Sequence, residues 1–421
     1  MDGPAARALT LPDLRHHLLT IVHAAIAGAN PQSHVRRALL ENTVRTHLAF
    51  AANVDVLAVG KATGAMLGGA RDGLERPWRR AMAVAPVAPA DPWPQVDWHV
   101  SAHPVPDGRS ERAGRAAHAL AASQDVDDVL LVLLSGGASS LMAVAAEGVS
   151  FQDKRTALER LLNGGAEITA LNAVRKHLSG VKGGWLAAAA KVITVPTVAD
   201  TTTFADALAA IDRHGGRETM PRSVVTHLLA GLSGEIPETP KRLDARHRAS
   251  VVTASRDALE EASAAATALG YAVHRLDAPV MGDASAAGRA LAEAAARVAG
   301  NGRPCCLLSA GETTVHVRGT GKGGRNQELA LAMVESIAAL APIAVASCGT
   351  DGVDGPTDAA GAMIDSDTWA DARRRGLDVH RHLEQNDSYS FFDALGTLIR
   401  TGPTGTNVGD IQVIVIGTRT N

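Results

Sequence analysis

Three continuous apolar runs constrain this chain more than any other feature: Val54-Asp-Val-Leu-Ala-Val59, Ala81-Met-Ala-Val-Ala85 and Val129-Leu-Leu-Val-Leu-Leu134. Runs of this length without polar alternation, bounded by glycine turns and separated by alanine-rich helical stretches, belong to strands buried on both faces of a parallel sheet. The fold class is α/β. At 421 residues, 46% of them apolar, the chain has material for two cores. The Pro- and charge-rich stretch "SGEIPETPKRLDARHR" from Ser233 to Arg248 reads as the linker. The expected division is a Rossmann-like domain over 1–235, a linker over 236–248 and a smaller α/β domain over 249–421, with a ligand cleft between the two. In the second half Ala249-Ser-Val-Val-Thr reads as a strand, followed by one long helical region to Ala299. The alternation in Thr313-Thr-Val-His-Val-Arg318 adds a separate half-exposed strand, so the second sheet should be mixed.

A formal charge of −3 and 3% aromatic residues leave neither a basic face nor stacking platforms for nucleic acid. Three cysteines, Cys305, Cys306 and Cys348, fit neither a disulfide framework nor a zinc spacing and read as core thiols in a reducing compartment. With no signal-like apolar core and no span long enough for a bilayer, the expectation is a cytoplasmic protein with no membrane partner. A homodimer is compatible with all of this.

Several polar stretches lie where chemistry is expected. Gly60-Lys61 follows the first apolar run and opens a helical pattern, which favours an anion at the turn, although a solvated lysine would look the same and the P-loop spacing fails. Ser135-Gly136-Gly137-Ala-Ser139-Ser140 repeats the arrangement after the third run and suits a backbone nest for phosphate or carboxylate. A nucleophile elbow would need a second glycine after Ser139, and a plain turn is the alternative. In Ile168 to Gly184, Ile168, Leu171, Val174, Leu178 and Val181 trace an apolar helical stripe, opposite Asn172, Arg175, Lys176 and Ser179, a face with no carboxylate to pair it; Lys182 follows. Gly319, Gly321 and Gly324 satisfy G-x-G-x-x-G before a helix, and Asp351 falls near the position of a ribose-binding acid, so a nicotinamide enzyme is a rival reading. Lys322, Arg325 and Asn326 beside those glycines suit a transferring phosphoryl group better. In Gly349-Thr-Asp-Gly-Val-Asp-Gly-Pro-Thr-Asp-Ala-Ala-Gly361 the three aspartates miss the EF-hand spacing, which argues against calcium. The run Thr401 to Asp410 supplies hydroxyls, Asn407 and Asp410 to a ligand site, or is a loop.

Taken in order, "GKATGAM", "HPVPDG", "LSGGASSLM", "LNAVRKHLSGVKGG", "GETTVHV", "GKGGRNQE", "CGTDGVDGPTDAAGA", "NDSYSFF" and "TGPTGTNV" resemble the type II glycerate kinases, a family with a glycerate-kinase N-terminal domain and a C-terminal MOFRL domain. The resemblance implies ATP- and Mg²⁺-dependent phosphorylation of D-glycerate at the 2-hydroxyl. It places charge stabilisation on Lys61 and Arg325, and metal binding or hydroxyl orientation on Asp351, with Asp354 as a second metal ligand. Substrate or phosphate contacts fall to Ser135, Gly136, Gly137, Ser139, Asn172, Arg175, Lys182, Glu312, Gly323, Gly324, Asn326 and Asn407. Some relatives carry hydroxypyruvate-reductase names, which keeps NAD(P)H-dependent reduction as the alternative. One departure stands out. After "AKVIT" (Ala190 to Thr194) the chain passes directly into "VPTVADTTTF", where the family carries a long acidic, glycine-rich loop. Either the loop from Asp351 to Asp358 suffices for the site, or the chain binds its ligands without turnover.

Overall fold

The computed structural model describes residues 9–190, 193–194, 200–242, 254–299, 303–340 and 342–418. The expected strand at 249–253, residues 243–248 of the expected linker and the shortened segment at 195–199 lie outside them. The chain forms two compact units, one of residues 35–252 and one joining 1–34 to 253–421.

The first unit is built on five parallel strands, β1 (Val54–Val59), β2 (Arg80–Ala85), β3 (Val96–Val100), β4 (Val129–Leu134) and β5 (Ile193–Thr194), in the order β3-β2-β1-β4-β5. Alternate residues of the apolar runs feed two cores. Val54, Val56, Ala58, Leu131 and Leu133 pack on one face; Leu57, Val59, Leu130 and Val132 pack on the other. This is the doubly wound arrangement, and the strand order reverses between β1 and β4. Asp55, the one charge inside these runs, is fully buried. It is held by Arg79 (2.8 Å), Arg80 and Gln124 (2.9 Å), which keep its carboxyl down at about 2 against the cost of burial.

The second unit carries a mixed seven-stranded sheet of β6 (Ala272–Arg275), β7 (Val280–Asp283), β8 (Cys305–Thr314), β9 (Ile343–Gly349), β10 (Gly361–Asp365), β11 (Leu398–Ile399) and β12 (Asp410–Ile416). The order is β11-β10-β9-β12-β8-β6, with β7 also on β8. Here too alternate residues face opposite cores: Cys305, Leu307, Val345 and Ile414 on one side, Cys306, Leu308, Ala346 and Val413 on the other. All three cysteines are buried free thiols, and desolvation pushes each of them up. Three expectations need correction. The region before Ala299 is two helices, Ser255–Ala268 and Ala284–Val298, with β6 and β7 between them, because Gly270 turns the chain at φ +87°. The alternating stretch after Thr313 is no strand of its own, since β8 runs from Cys305 into Thr314 and pairs with β7 there, and 315–318 leave the sheet. The helix Leu11–Gly28 also belongs to this unit rather than to a domain running from residue 1 to 235; its Leu14, Leu18, Ile21 and Val22 pack against Ala258, Ala262, Val413 and Val415.

Candidate active site

In the parallel unit, the carboxyl ends of β1 and β4 place the two glycine turns side by side. The N–H of Lys61 donates to the carbonyl of Gly136 at 2.9 Å, and the N–H of Ala62 to Ser135 Oγ at 3.0 Å. Gly60 takes φ +136°, and a Cβ there would strike Ser135 Oγ, so the two turns need this glycine to approach. Gly137, at φ +87°, opens the short helix Ala138–Leu141; a methyl on it would meet the His103 ring at 2.9 Å and Lys61 Cγ at 3.6 Å. His103 was visible in the sequence only as part of "HPVPDG", and its neighbour Asp107 caps the helix Gly108–Ala122 through Arg109 N–H (2.8 Å). The structure thus gathers Lys61, Ser135, Gly136, Gly137 and His103 at the switch point, where doubly wound sheets bind ligands.

The basic residues after this turn join it from the side. Lys182 Nζ donates to both the carbonyl and Oγ of Ser139 at 2.7 Å. Desolvation and the Arg175 guanidinium push its ammonium down to about 8. Arg175 donates to Asn172 Oδ1 at 3.4 Å on the helix Ile168–His177. The expected face without a carboxylate partner is corrected in one place: Lys176 pairs with buried Asp200 at 2.9 Å. The apolar stripe also loses its first member, because Ile168 is exposed, and the helix ends before Ser179 and Val181. A surface pocket of about 830 Å³ lies at the opposite end of the sheet; its Arg79 and Arg80 are already bound to Asp55.

In the mixed-sheet unit the second set centres on the helix Arg325–Ile337. Asp354 sits on its N-terminus and accepts from the N–H of Asn326 at 3.1 Å and of Gln327 at 2.9 Å. The residue is 2% exposed; burial, reinforced by Asp410, outweighs these bonds and lifts its carboxyl to about 6. Gly324 is glycine because a Cβ would run into the Asp354 carboxyl at 2.3 Å. Arg325 grips buried Asp410 with two bonds, Nε at 2.6 Å and Nη2 at 2.9 Å, and gives Nη1 to exposed Glu312 at 2.9 Å. Burial holds the Asp410 carboxyl above its usual range despite this partner, and Arg325 is raised above its own. Asp351 is half-buried, accepts the N–H of Val353 at 3.1 Å, and shares with Asp410 the space beside Gly349, where a methyl would meet their oxygens at 3.2 and 3.6 Å. The third aspartate, Asp358, is bound by Tyr389 Oη (2.8 Å) and Arg400 Nε (3.1 Å).

The rest of the glycine-rich loop is architecture. Gly319, Gly321 and Gly323 each pass so close to residues 385–388 that a Cβ would collide. Asn386 Oδ1 accepts the N–H groups of Arg318 (2.7 Å) and Gly319 (3.0 Å), and Lys322 Nζ stands 4.1 Å over the Tyr389 ring. The loop Thr401 to Asp410 is sewn to the acidic loop through Thr350, which accepts the Val408 N–H at 2.9 Å; Asn407 is half-buried in it. The dinucleotide reading fails here on two counts. The strands before and after the glycine run, β8 and β9, are separated in the sheet by antiparallel β12, so they are not the adjacent parallel pair of a dinucleotide-binding βαβ unit. The helix N-terminus that would hold a pyrophosphate is filled by the carboxylate of Asp354. Among the described residues no three His, Cys, Asp or Glu side chains are grouped to hold a metal.

Two family models match: the MOFRL family over residues 305–410 and a domain of unknown function, DUF4147, over residues 17–195. The glycerate 2-kinase of Pyrococcus horikoshii is 32% identical over 96% of this chain and 98% of its own length. The chain belongs to the glycerate kinase family. The crystal structure of the Thermotoga maritima glycerate kinase superposes with a TM-score of 0.83 at 32% identity, covering 96% of this chain and all of that one. Another relative, 35% identical over 99% of this chain and 98% of its own length, is named a putative hydroxypyruvate reductase, from Agrobacterium vitis. Among the described residues no helix is long and apolar enough to cross a membrane.

Proposed function

We propose that this protein transfers the γ-phosphoryl group of ATP to the 2-hydroxyl of D-glycerate, with Mg²⁺. The observation that carries the reading is the pair of apposed turns, Gly60-Lys61 and Ser135-Gly136-Gly137, at the strand-order reversal, with Lys182 and Arg175 beside them bonded to no carboxylate among the described residues. Such a site takes anions: the Gly136-Gly137 turn and the start of the helix Thr63–Gly73 would present backbone N–H groups to a phosphate or carboxylate, and the cations supply charge. In the reaction the hydroxyl oxygen bonds to the γ-phosphorus and gives up its proton to water, while the bond to the bridging oxygen breaks and ADP leaves with that electron pair. Little covalent work falls to the protein, so orientation and charge neutralisation carry the rate.

Lys61 supports the charge of the transferring group from the parallel unit. In the mixed-sheet unit Asp410 fixes the Arg325 guanidinium with two bonds, and its Nη1 edge, facing exposed Glu312, is the one a phosphate oxygen would take over. Of the two aspartates expected to bind metal, Asp351 fits: Mg²⁺ asks for one or two carboxylates besides phosphate oxygens and water. Asp354 fits poorly, with both oxygens committed to a helix end. When bound, Mg²⁺ would neutralise phosphate charge at Asp351. Against the reductase reading, β2 ends in Ala85-Pro86, with no acid to hold a ribose.

The test is a coupled assay with D-glycerate, ATP and Mg²⁺ beside one with hydroxypyruvate and NADH or NADPH. Product passing directly to enolase identifies 2-phosphoglycerate. ADP formation that falls at least ~100-fold in Lys61→Met, as expected for loss of a charge acting on the transition state, supports the reading; nicotinamide oxidation in place of ADP formation overturns it.

A further inference from the structure

Lys154, on the helix Phe151–Asn163, is 3% exposed, yet among the described residues its Nζ has for partner a single neutral oxygen, the carbonyl of Val144 at 2.7 Å. That carbonyl also accepts the N–H of Gly180 at 3.3 Å, and the adjacent Ala145 pairs with Ser179 in an antiparallel bridge. Ser179 Oγ then accepts the N–H groups of Val181 and Lys182, and Lys182 Nζ reaches Ser139 at the end of β4. Lys154 therefore anchors the strap that delivers Lys182 to the glycine turn.

Charge gives this chain of contacts its meaning. Among the described residues Lys154, Lys182 and Arg175 bond only neutral oxygens, whereas Lys176 beside them has Asp200. Burial and the Lys182 charge press Lys154 well below its ordinary range, with Glu111 acting the other way; on Lys182 the acting charge is Arg175. Grouped cations without counter-ions cost free energy that an arriving oxyanion returns. The guanidinium adds a planar donor edge that matches a carboxylate.

We propose that Lys182 and Arg175 take the carboxylate of the acceptor hydroxy acid, and that Lys154 is the positioning residue that holds Lys182 for it. This rests on the reading of the chain as a D-glycerate kinase. The oxyanion could instead be a nucleotide phosphate, and the experiment separates the two. Binding of D-glycerate alone, and of ATP alone, is measured by calorimetry at pH 8 in two buffers of different ionisation enthalpy, together with turnover. Wild type should take up roughly half a proton per glycerate, as linkage requires of Lys182, held down at about 8, when binding charges it. Lys182→Met should weaken glycerate at least ~10-fold and abolish the uptake, as loss of a charge-assisted bond predicts, with ATP affinity within about twofold. Lys154→Met should weaken glycerate by a smaller factor and reduce the uptake, and Lys154→Arg should recover part of the affinity. A melting curve checks that each variant folds, and Lys182, on the turn itself, keeps the test open if Lys154→Met does not. Unchanged glycerate affinity in Lys182→Met, or loss of ATP affinity instead, overturns the proposal. A wild type that neither binds nor phosphorylates D-glycerate overturns the kinase reading and this inference with it.

Discussion

Replacing Asp354 with Asn separates a helix cap from a metal ligand. Its carboxyl lies at about 6 in the fold against an ordinary 3.8, a gap worth ~3 kcal/mol at about 1.4 kcal/mol per pH unit. Because the folded value is raised, the native state keeps a proton that the unfolded chain has lost between about pH 4 and 6. The group therefore lowers stability as pH rises through that window, and the cost is fully present at pH 8. Asparagine removes this ionisation cost. It also turns one of the two backbone N–H groups, of Asn326 or Gln327, toward an amide nitrogen, a loss of about 1–2 kcal/mol. The variant should thus be ~1–2 kcal/mol more stable than wild type at pH 8 and ~0–1 kcal/mol less stable at pH 4.5, where only ~1 kcal/mol of the ionisation cost has developed, a swing of ~2 kcal/mol visible in urea unfolding at the two pH values. A difference that does not vary with pH would refute the reasoning. Turnover should stay within about tenfold of wild type, because a committed cap is no metal ligand; a fall of ~100-fold or more would return Asp354 to the metal.

Three further outcomes follow from the same geometry. Arg325→Met leaves Asp410 buried and unpaired, which should cost about 3–5 kcal/mol of stability in denaturant unfolding; Arg325→Lys should recover much of the stability but little of kcat, since the two-bond grip needs a guanidinium. Gly137→Ala forces a side chain at φ +87° and against the His103 ring, so activity should fall while the melting temperature drops only a few degrees, roughly the effect of 1–2 kcal/mol. Gly319→Ala meets backbone of Gln385 at 2.3 Å and should destabilise the mixed-sheet unit by roughly 2 kcal/mol or more, seen as an earlier unfolding transition with any nucleotide affinity of the parallel unit unchanged.

The parallel sheet was legible because its strands are buried on both faces and so spell themselves as unbroken apolar runs. The turns after Val59 and Leu134 could be placed at a ligand crevice from those runs alone. What the sequence hid depends on contacts between distant residues. Asp354 lies after the helix it caps, so no capping pattern precedes Arg325 to announce it. The spacing of Gly319, Gly321 and Gly324 matched a phosphate fingerprint, whereas their close neighbours are Gln385, Asp387 and Asp354. Asp410 stood in plain view at the start of the last strand, but nothing local marks it as the counter-ion of Arg325, 85 positions earlier. Lys154 looks like any surface lysine of an amphipathic helix, and only burial distinguishes it.

The helix Leu11–Gly28 completes a core whose strands come from the far end of the chain. Seen as connectivity, the parallel unit is an insertion within the other. During synthesis this helix emerges well before Val413 and Val415 exist to cover it, and must hold its apolar stripe of Leu14, Leu18 and Ile21 until they do. A fragment beginning at residue 254 would expose the matching face of its sheet, so excising the mixed-sheet unit calls for tethering residues 9–34 back onto it, in the manner of a circular permutant.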